Sequence, residues 1–398
     1  MVSYPQNHTN LKNIIAVSIQ RPEIIMAKDG KKNSDGKDVK KMLEDFGENL
    51  AQEVHRQKAP TFKTLSRTKS NIVYEKKLGY LTLGRATEER NFMNIGQTKR
   101  FMQTVAIATK CHKFLAENLH TSIRGLFYQL KFSLGEDVDE NIFSEQSESN
   151  PLIEDLEASL GVKREDLNLN ANRRGVLVGN MKVIDDYGGE RTETDLSKTG
   201  RSGWAVPSDV DNDIEFVDVK AKYVLVVEKD AVWQRLNEDG FWKKENCMLI
   251  SPQGQAARGV RRIIRKLADK GLPVYVFNDA DVWGWYIYWT IKTGSMNLAY
   301  VGADIATPEA KFLGVTLSDL EKYQFLKKMT LKATEVDLKR AQEMLGYEWI
   351  NQHGEWVEEL KKVLKLKVKL EQDTLQGPRL TFVGDYIREK IKNKDWLP

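Results

Sequence analysis

A mixed α/β fold is predicted: a winged-helix module first, then an α/β domain with a mostly parallel sheet. Three observations predict it. Three helical patterns between residues 91 and 175 precede two apolar runs parted by Gly179-Asn180, the order of a winged-helix module. Short β-branched runs alternate with amphipathic stretches from 220 to 302. The chain has 398 residues, 41% hydrophobic and 30% charged, which is the composition and length of two or three globular domains.

In chain order, the run Lys28 to Lys41 is Lys, Asp and Gly with little to enter a core, so 1–42 is read as a mobile arm. Met42, Leu43, Phe46, Leu50 and Val54 then recur at helical spacing, and Pro60 bounds the helix. Asn71–Tyr74 and Tyr80–Leu83 read as short strands, completing a segment 43–90. In 91–185, the predicted winged-helix domain, Phe101–Leu119 forms the first helix. Thr121 and Ser122 cap a second that runs to about Leu134, and Pro151 opens a third that stops before Gly161. An acidic loop, 137–150, separates the last two. Val176–Val178 and Met181–Ile184, around Gly179-Asn180, read as a β-hairpin. Residues 186–219, rich in Gly, Asp, Ser and Thr, read as a linker.

The α/β domain occupies 220–398. Tyr223–Val227, Cys247–Ile250, Val274–Phe277 and Asn297–Val301 are its predicted strands; Ala231–Leu236, Gln255–Asp269 and Gly284–Lys292 are the helices between them. Helices follow Thr307 as a C-terminal elaboration, the last long pattern being Trp356–Leu370.

Some chemistries are excluded. Cys111 and Cys247 are too few for a disulfide framework or a zinc ribbon, and the five histidines are scattered. The longest uncharged apolar stretch near the middle, Val282 to Ile291, is ten residues, about half of what a membrane span needs. No apolar leader opens the chain, so a reducing, intracellular compartment is expected. A net charge of +4 implies no bulk attraction to nucleic acid; a binding face has to come from local pattern. No Gly-rich stretch ends in GK[ST], so no Walker-type ATP loop is present.

Three features carry candidate chemistry. Glu228 directly follows one predicted strand; Asp279 and Asp281 follow another. Ligands of open α/β sheets sit beyond strand carboxyl ends, and three oxygen donors there suit a hard divalent ion such as Mg²⁺ and phosphodiester chemistry. A basic helix lies between them, with Arg258, Arg261, Arg262, Arg265 and Lys266. It reads equally as a solvated face or as a phosphate-binding one. Arg124 and Tyr128 stand at i and i+4 on one helix. A tyrosine can attack phosphorus, while a helical Tyr beside Phe127 is also an ordinary core or interface residue.

In this order, and with Arg67-Thr-Lys-Ser-Asn-Ile-Val-Tyr74, Asn94-Ile-Gly-Gln-Thr-Lys-Arg-Phe-Met-Gln103, Thr121-Ser-Ile-Arg-Gly-Leu-Phe-Tyr128, Arg174-Gly-Val-Leu-Val-Gly-Asn180, Val226-Val-Glu-Lys-Asp-Ala231, Pro252-Gln-Gly-Gln255 and Asp279-Ala-Asp-Val-Trp-Gly-Trp-Tyr286, the chain resembles the A subunits of type IIB DNA topoisomerases (topoisomerase VI). That family also holds the meiotic double-strand-break transesterase. The resemblance spans roughly residues 40–395.

It implies a catabolite-activator-like winged helix bearing the nucleophile, which here is Tyr128, with Phe127 in place of the first aromatic of the family's pair. It implies a Toprim domain whose acidic set is Glu228, Asp279 and Asp281, holding Mg²⁺, with Ala280 and Val282 where relatives often carry Gly and Pro. Arg124 would position the scissile phosphate. The expected activity is that of the DNA-cleaving and rejoining component of an ATP-dependent type II topoisomerase acting on double-stranded DNA. ATP would be bound by a GHKL-type ATPase, the B subunit, contacted in part through the helix near 39–57, in an A2B2 heterotetramer built on an A homodimer. The expected location is the cytoplasm with the nucleoid, or the nucleus in a eukaryote. A Toprim nuclease, a break-maker that does not reseal, and a non-catalytic winged-helix scaffold are the alternatives.

Overall fold

The computed structural model describes residues 38–135, 138–187 and 189–398. It divides into two compact units. One holds 38–66 and Arg85–Ala171; the other holds Arg67–Gly84 and Asn172–Pro398.

The first unit is built on the helices Val39–His55, Ile95–Glu117, Ile123–Leu130 and Gln146–Leu160. They close over a core that includes Ile107, Cys111, Phe114, Leu126, Phe127, Leu130, Phe143, Leu152 and Leu156. An antiparallel pair, Thr61–Leu65 with Thr87–Asn91, and a two-residue parallel contact, Thr121–Ser122 with Leu169–Asn170, complete it. Arg90 crosses the core to form an ion pair with buried Asp155 and also donates to Thr104 at 3.2 Å. The expected arm 1–42 lies outside the described residues up to 37. Its last four residues, 39–42, instead open the first helix, where Asp38 caps by accepting from Lys41 N–H at 3.1 Å. The third helix starts at Gln146, five residues before Pro151, and the acidic segment before it carries a short antiparallel pair, Ser133–Gly135 with Val138–Asn141.

The second unit centres on a six-stranded sheet ordered Trp204–Ala205, Val176–Val178, Met248–Ser251, Val224–Val227, Val274–Phe277, Lys311–Gly314. The last four strands run parallel; the first two are antiparallel additions. Every residue of Met248–Ser251, Val224–Val227 and Val274–Phe277 is buried, as expected where helices cover both faces. Behind the sheet, Trp356 packs on Trp285, Tyr288, Trp289 and Phe312 with ring centroids 5.1–5.8 Å apart. This cluster fixes the helix Val282–Thr293, whose first residues border the acidic loop.

Three expectations fail here. The hairpin at 176–184 does not form. Val176–Val178 joins Met248–Ser251, while Lys182–Tyr187 lies between Glu190–Asp195 and Ile214–Val217 in a separate three-stranded sheet. Gly179 stands at φ 157°, far from the roughly +60° that a two-residue I′ turn needs, so the chain steps from one sheet to the next instead of reversing. The linker 186–219 contains strands. Its polarity belongs to an exposed sheet face, laced by Arg191–Glu215 and Lys182–Glu193 pairs at 2.7 Å. The strand expected at Asn297–Val301 is a 3-10 segment, Met296–Val301. Leu298, Val301 and Ile305 pack together at helical spacing, and Lys311–Gly314 supplies the parallel edge.

Candidate active site

The candidate residues lie in both units, and each group has its own environment. In the first unit, the helix Ile123–Leu130 starts where Ser122 Oγ accepts from Gly125 N–H at 2.9 Å. Glycine suits position 125, because a Cβ would stand 2.4 Å from Thr121 Oγ1. The helix buries Leu126, Phe127 and Leu130 but leaves Tyr128 58% exposed. The core reading of this tyrosine is thereby excluded: Phe127 took the core position, and Tyr128 faces solvent. Arg124 Nη2 donates to the Tyr128 hydroxyl at 3.4 Å, and its guanidinium carbon lies 5.8 Å from the ring centroid. That hydrogen bond, with the charge of Arg124 and of Lys131 behind it, holds the phenol below its usual pKa. An exposed, acidified phenol beside a guanidinium is suited to attack a phosphate ester.

In the second unit, Glu228 follows the central strand Val224–Val227, and Asp279 and Asp281 follow its parallel neighbour Val274–Phe277. The two strand ends thus bring the three carboxylates together. Burial, then the charges of Asp279 and Asp281, pushes the Glu228 carboxyl up to about 7. Its Oε2 is buried with no hydrogen-bond partner. Burial also raises Asp279 and Asp281, against opposing hydrogen bonds. Asp281 is the N-cap of Val282–Thr293: Oδ1 accepts from Trp283 N–H at 2.9 Å and Gly284 N–H at 2.7 Å. Gly284 is required by closeness, since a Cβ there would meet the Asp279 carbonyl at 2.6 Å.

Sequence reasoning missed a strap over this loop. Leu370 and Ala280 exchange backbone hydrogen bonds at 2.8 and 3.2 Å, and Gln372 N–H donates to Asp279 Oδ1 at 2.8 Å. Lys229 Nζ lies 3.1 Å from Asp279 Oδ2, 2.9 Å from Glu371 and 2.8 Å from Asp373. Burial opposes the charge on Lys229, but these carboxylates outweigh it and hold the lysine protonated. The strap lies about ninety residues beyond the aspartates, and only its run of Glu371 and Asp373 hinted at a role.

Among the described residues, no three His, Cys, Asp or Glu side chains stand ready to hold a metal ion. Asp279 has a donor on each oxygen. The residue types nevertheless suit a hard cation: three carboxylates at neighbouring strand ends, one with an unpartnered buried oxygen, all disfavoured as bare anions by burial.

The expected DNA-binding residues are placed differently. The helix Arg258–Asp269 turns its basic side chains onto its own unit. Arg262 reaches Asp211 at 2.6 Å, Lys266 reaches Asp211 at 3.0 Å, and Arg265 pairs with Asp269 and Glu309 at 2.7 and 2.8 Å. Arg258 donates to the Tyr300 hydroxyl at 2.8 Å, and Arg261 is 4% exposed. The helix also packs closely on the segment it tethers: a Cβ at Gly259 would stand 2.4 Å from the Pro207 carbonyl oxygen. Arg258, Arg262, Arg265 and Lys266 therefore tether the 207–211 and 300–309 segments.

Comparison with known proteins finds a family match in each of the two units. The family model for the Toprim domain of the topoisomerase 6 A subunit and Spo11 matches residues 223–391, and one described as "Type IIB DNA topoisomerase" matches residues 99–169. The A subunit of Type 2 DNA topoisomerase 6 from Pyrococcus abyssi is 41% identical over 376 residues, 92% of this chain and 96% of that protein. The protein of the same name from Aeropyrum pernix is 40% identical over 365 residues, covering 87% and 92%. The A3 subunit of DNA topoisomerase 6 from Oryza sativa subsp. indica is 31% identical over 339 residues, covering 85% and 74%.

Proposed function

This chain belongs to the family of type IIB DNA topoisomerase A subunits, and on that premise we propose that Tyr128 is its nucleophile and Glu228, Asp279 and Asp281 its metal-holding set. It is the catalytic, DNA-cleaving component of such a topoisomerase. The observation that carries the residue assignment is the exposure of Tyr128 beside Arg124 on a helix that buries Leu126, Phe127 and Leu130.

Tyr128 Oη attacks a DNA phosphorus and displaces the 3′ oxygen. One phosphoester becomes another: a 5′-phosphotyrosyl bond forms, the P–O3′ bond breaks, and the phenolic proton passes through solvent while the 3′ oxygen leaves as a hydroxyl. Arg124 favours the phenolate before attack and afterwards faces the phosphate that Tyr128 carries. Because ester is exchanged for ester, the reverse attack by the 3′ hydroxyl reseals the strand without ATP. When bound at the carboxylates, Mg²⁺ supplies Lewis-acid stabilisation of charge on phosphate and leaving oxygen. Glu228, Asp279 and Asp281 would hold it, releasing the proton that burial keeps on Glu228 near neutrality.

Strand passage driven by ATP calls for a GHKL-type B subunit, with two A and two B chains giving one cut per strand. Such an assembly acts where the chromosome lies, in the cytoplasm with the nucleoid or, in a eukaryote, in the nucleus. No helix among the described residues is long and apolar enough to cross a membrane.

Covalent capture tests the reading. Supercoiled plasmid, this chain, a cognate B subunit, Mg²⁺ and a non-hydrolysable ATP analogue are mixed and quenched with detergent. Linear DNA with protein on its 5′ ends is expected, and is expected to vanish in Tyr128→Phe and Glu228→Ala. Protein-free cuts that survive Tyr128→Phe would instead mark a Toprim nuclease.

A further inference from the structure

The residue that stands between the acidic site and a cation is Lys229. Its ammonium touches Asp279 Oδ2 at 3.1 Å, and the only other oxygen of that carboxylate accepts from Gln372 N–H at 2.8 Å. A divalent ion that takes Asp279 Oδ2 must compete with this lysine, and like charges a few ångströms apart repel. The lysine has a second place to go. Glu371 and Asp373, at 2.9 and 2.8 Å, are both on the strap and both about 40% exposed, 43% and 41% by side chain. Two carboxylates on that side balance one ammonium whether or not Asp279 remains in contact.

We propose that Lys229 is a positioning residue that serves as the resident counter-ion of the metal site. It holds Asp279 in place before the cation arrives and then withdraws onto Glu371 and Asp373. A single positive charge set into an acidic cluster of this kind keeps the loop ordered without metal, and sets how tightly metal binds. The inference rests on the reading that Glu228, Asp279 and Asp281 hold the cation.

The test uses the full chain without DNA and Mn²⁺ as the probe, with bound ion read from the loss of the free Mn²⁺ paramagnetic resonance signal. Glu228→Gln defines which bound ion belongs to the site. Lys229→Met is expected to bind that ion about tenfold or more tightly than the unaltered chain. Lys229→Arg, which keeps the charge, is expected to stay close to it. Lys229→Gln replaces Lys229→Met if the latter does not fold, as judged by its thermal transition. The strap is tested by a double-mutant cycle: Glu371→Gln with Asp373→Asn should weaken binding more when Lys229 is present than in Lys229→Met, because the ammonium then has only Asp279 to hold. Equal or weaker binding in Lys229→Met overturns the proposal, and so does a strap effect independent of Lys229. If the unaltered chain shows no Glu228-dependent ion, the metal-site reading itself falls, and this inference falls with it.

Discussion

Tyr128 and Glu228 are two acids proposed for phosphate chemistry, and their surroundings push them in opposite directions. Tyr128 stands exposed, and the guanidinium of Arg124 draws its pKa down. Glu228 sits at the end of a buried strand, and burial with two neighbouring carboxylates pushes it up to about 7. The lesson is that exposure lets one adjacent cation set a titration, whereas burial makes the sum of the surroundings decide it. Tyr128 can therefore be altered with little structural consequence, while removing a buried carboxyl such as Glu228 alters stability as well as chemistry.

The sharpest break would come from Tyr128→Phe. If Tyr128 is the nucleophile as proposed, cleavage should fall by at least about a thousandfold, since the attacking atom is gone. The midpoint of urea unfolding should not move, because the ring is exposed and, among the described residues, its hydroxyl bonds only to Arg124. A large loss of stability would show that the tyrosine has a packing role after all.

The corresponding change on the buried side, Glu228→Gln, should abolish cleavage and also remove a pH dependence. A carboxyl that titrates near 4.5 unfolded and at about 7 folded costs the folded chain about 3 kcal/mol once both states are ionised. Because the folded value is the higher one, stability is complete below 4.5, is lost as pH rises to about 7, and is level above that. Measured in chelator, the unfolding free energy of the unaltered chain should decline over this window relative to Glu228→Gln. Parallel curves would refute the buried state of Glu228.

Asp281 separates charge from capping. Asp281→Asn keeps an N-cap acceptor for Trp283 and Gly284 N–H and should leave stability nearly unchanged while losing Mn²⁺ binding. Asp281→Ala should lose the same binding and about 1 kcal/mol of stability, read by denaturant unfolding. The smallest effect is expected at Arg124. In Arg124→Gln the cleavage rate should rise with pH along a curve displaced to higher pH, because the phenol regains its ordinary acidity. An unmoved profile would mean that Arg124 does not tune Tyr128.

Much of the candidate site was legible before the fold was known. Glu228, Asp279 and Asp281 stood at the ends of apolar runs, and a buried parallel strand is written as such a run. Tyr128 was identifiable by its motif and its place with Arg124 one turn earlier. Its exposure was not, because Phe127 and Tyr128 are adjacent on the helix and either aromatic satisfies a local hydrophobic pattern. The basic helix shows the same limit from the other side. Arg262, Arg265 and Lys266 look like a phosphate face in sequence, and Asp211, Glu309 and Asp269 claim them in space.

Local order along the chain was enough to predict an alternating β/α domain, its strand-end carboxylates and the amphipathic helices, since each depends on residues within a few positions of one another. Long-range pairing was not. Val176–Val178 could close a hairpin with its neighbour or extend a sheet some seventy residues away, and the packing against Met248–Ser251 settled the choice. The strap that carries Gln372, Glu371 and Asp373 to Asp279 and Lys229 likewise exists only once the C-terminal segment is laid against Ala280. Local propensity acts within a turn or a strand. Which distant charge meets a buried carboxylate is set by how the elements pack, because burial is what makes that partner necessary.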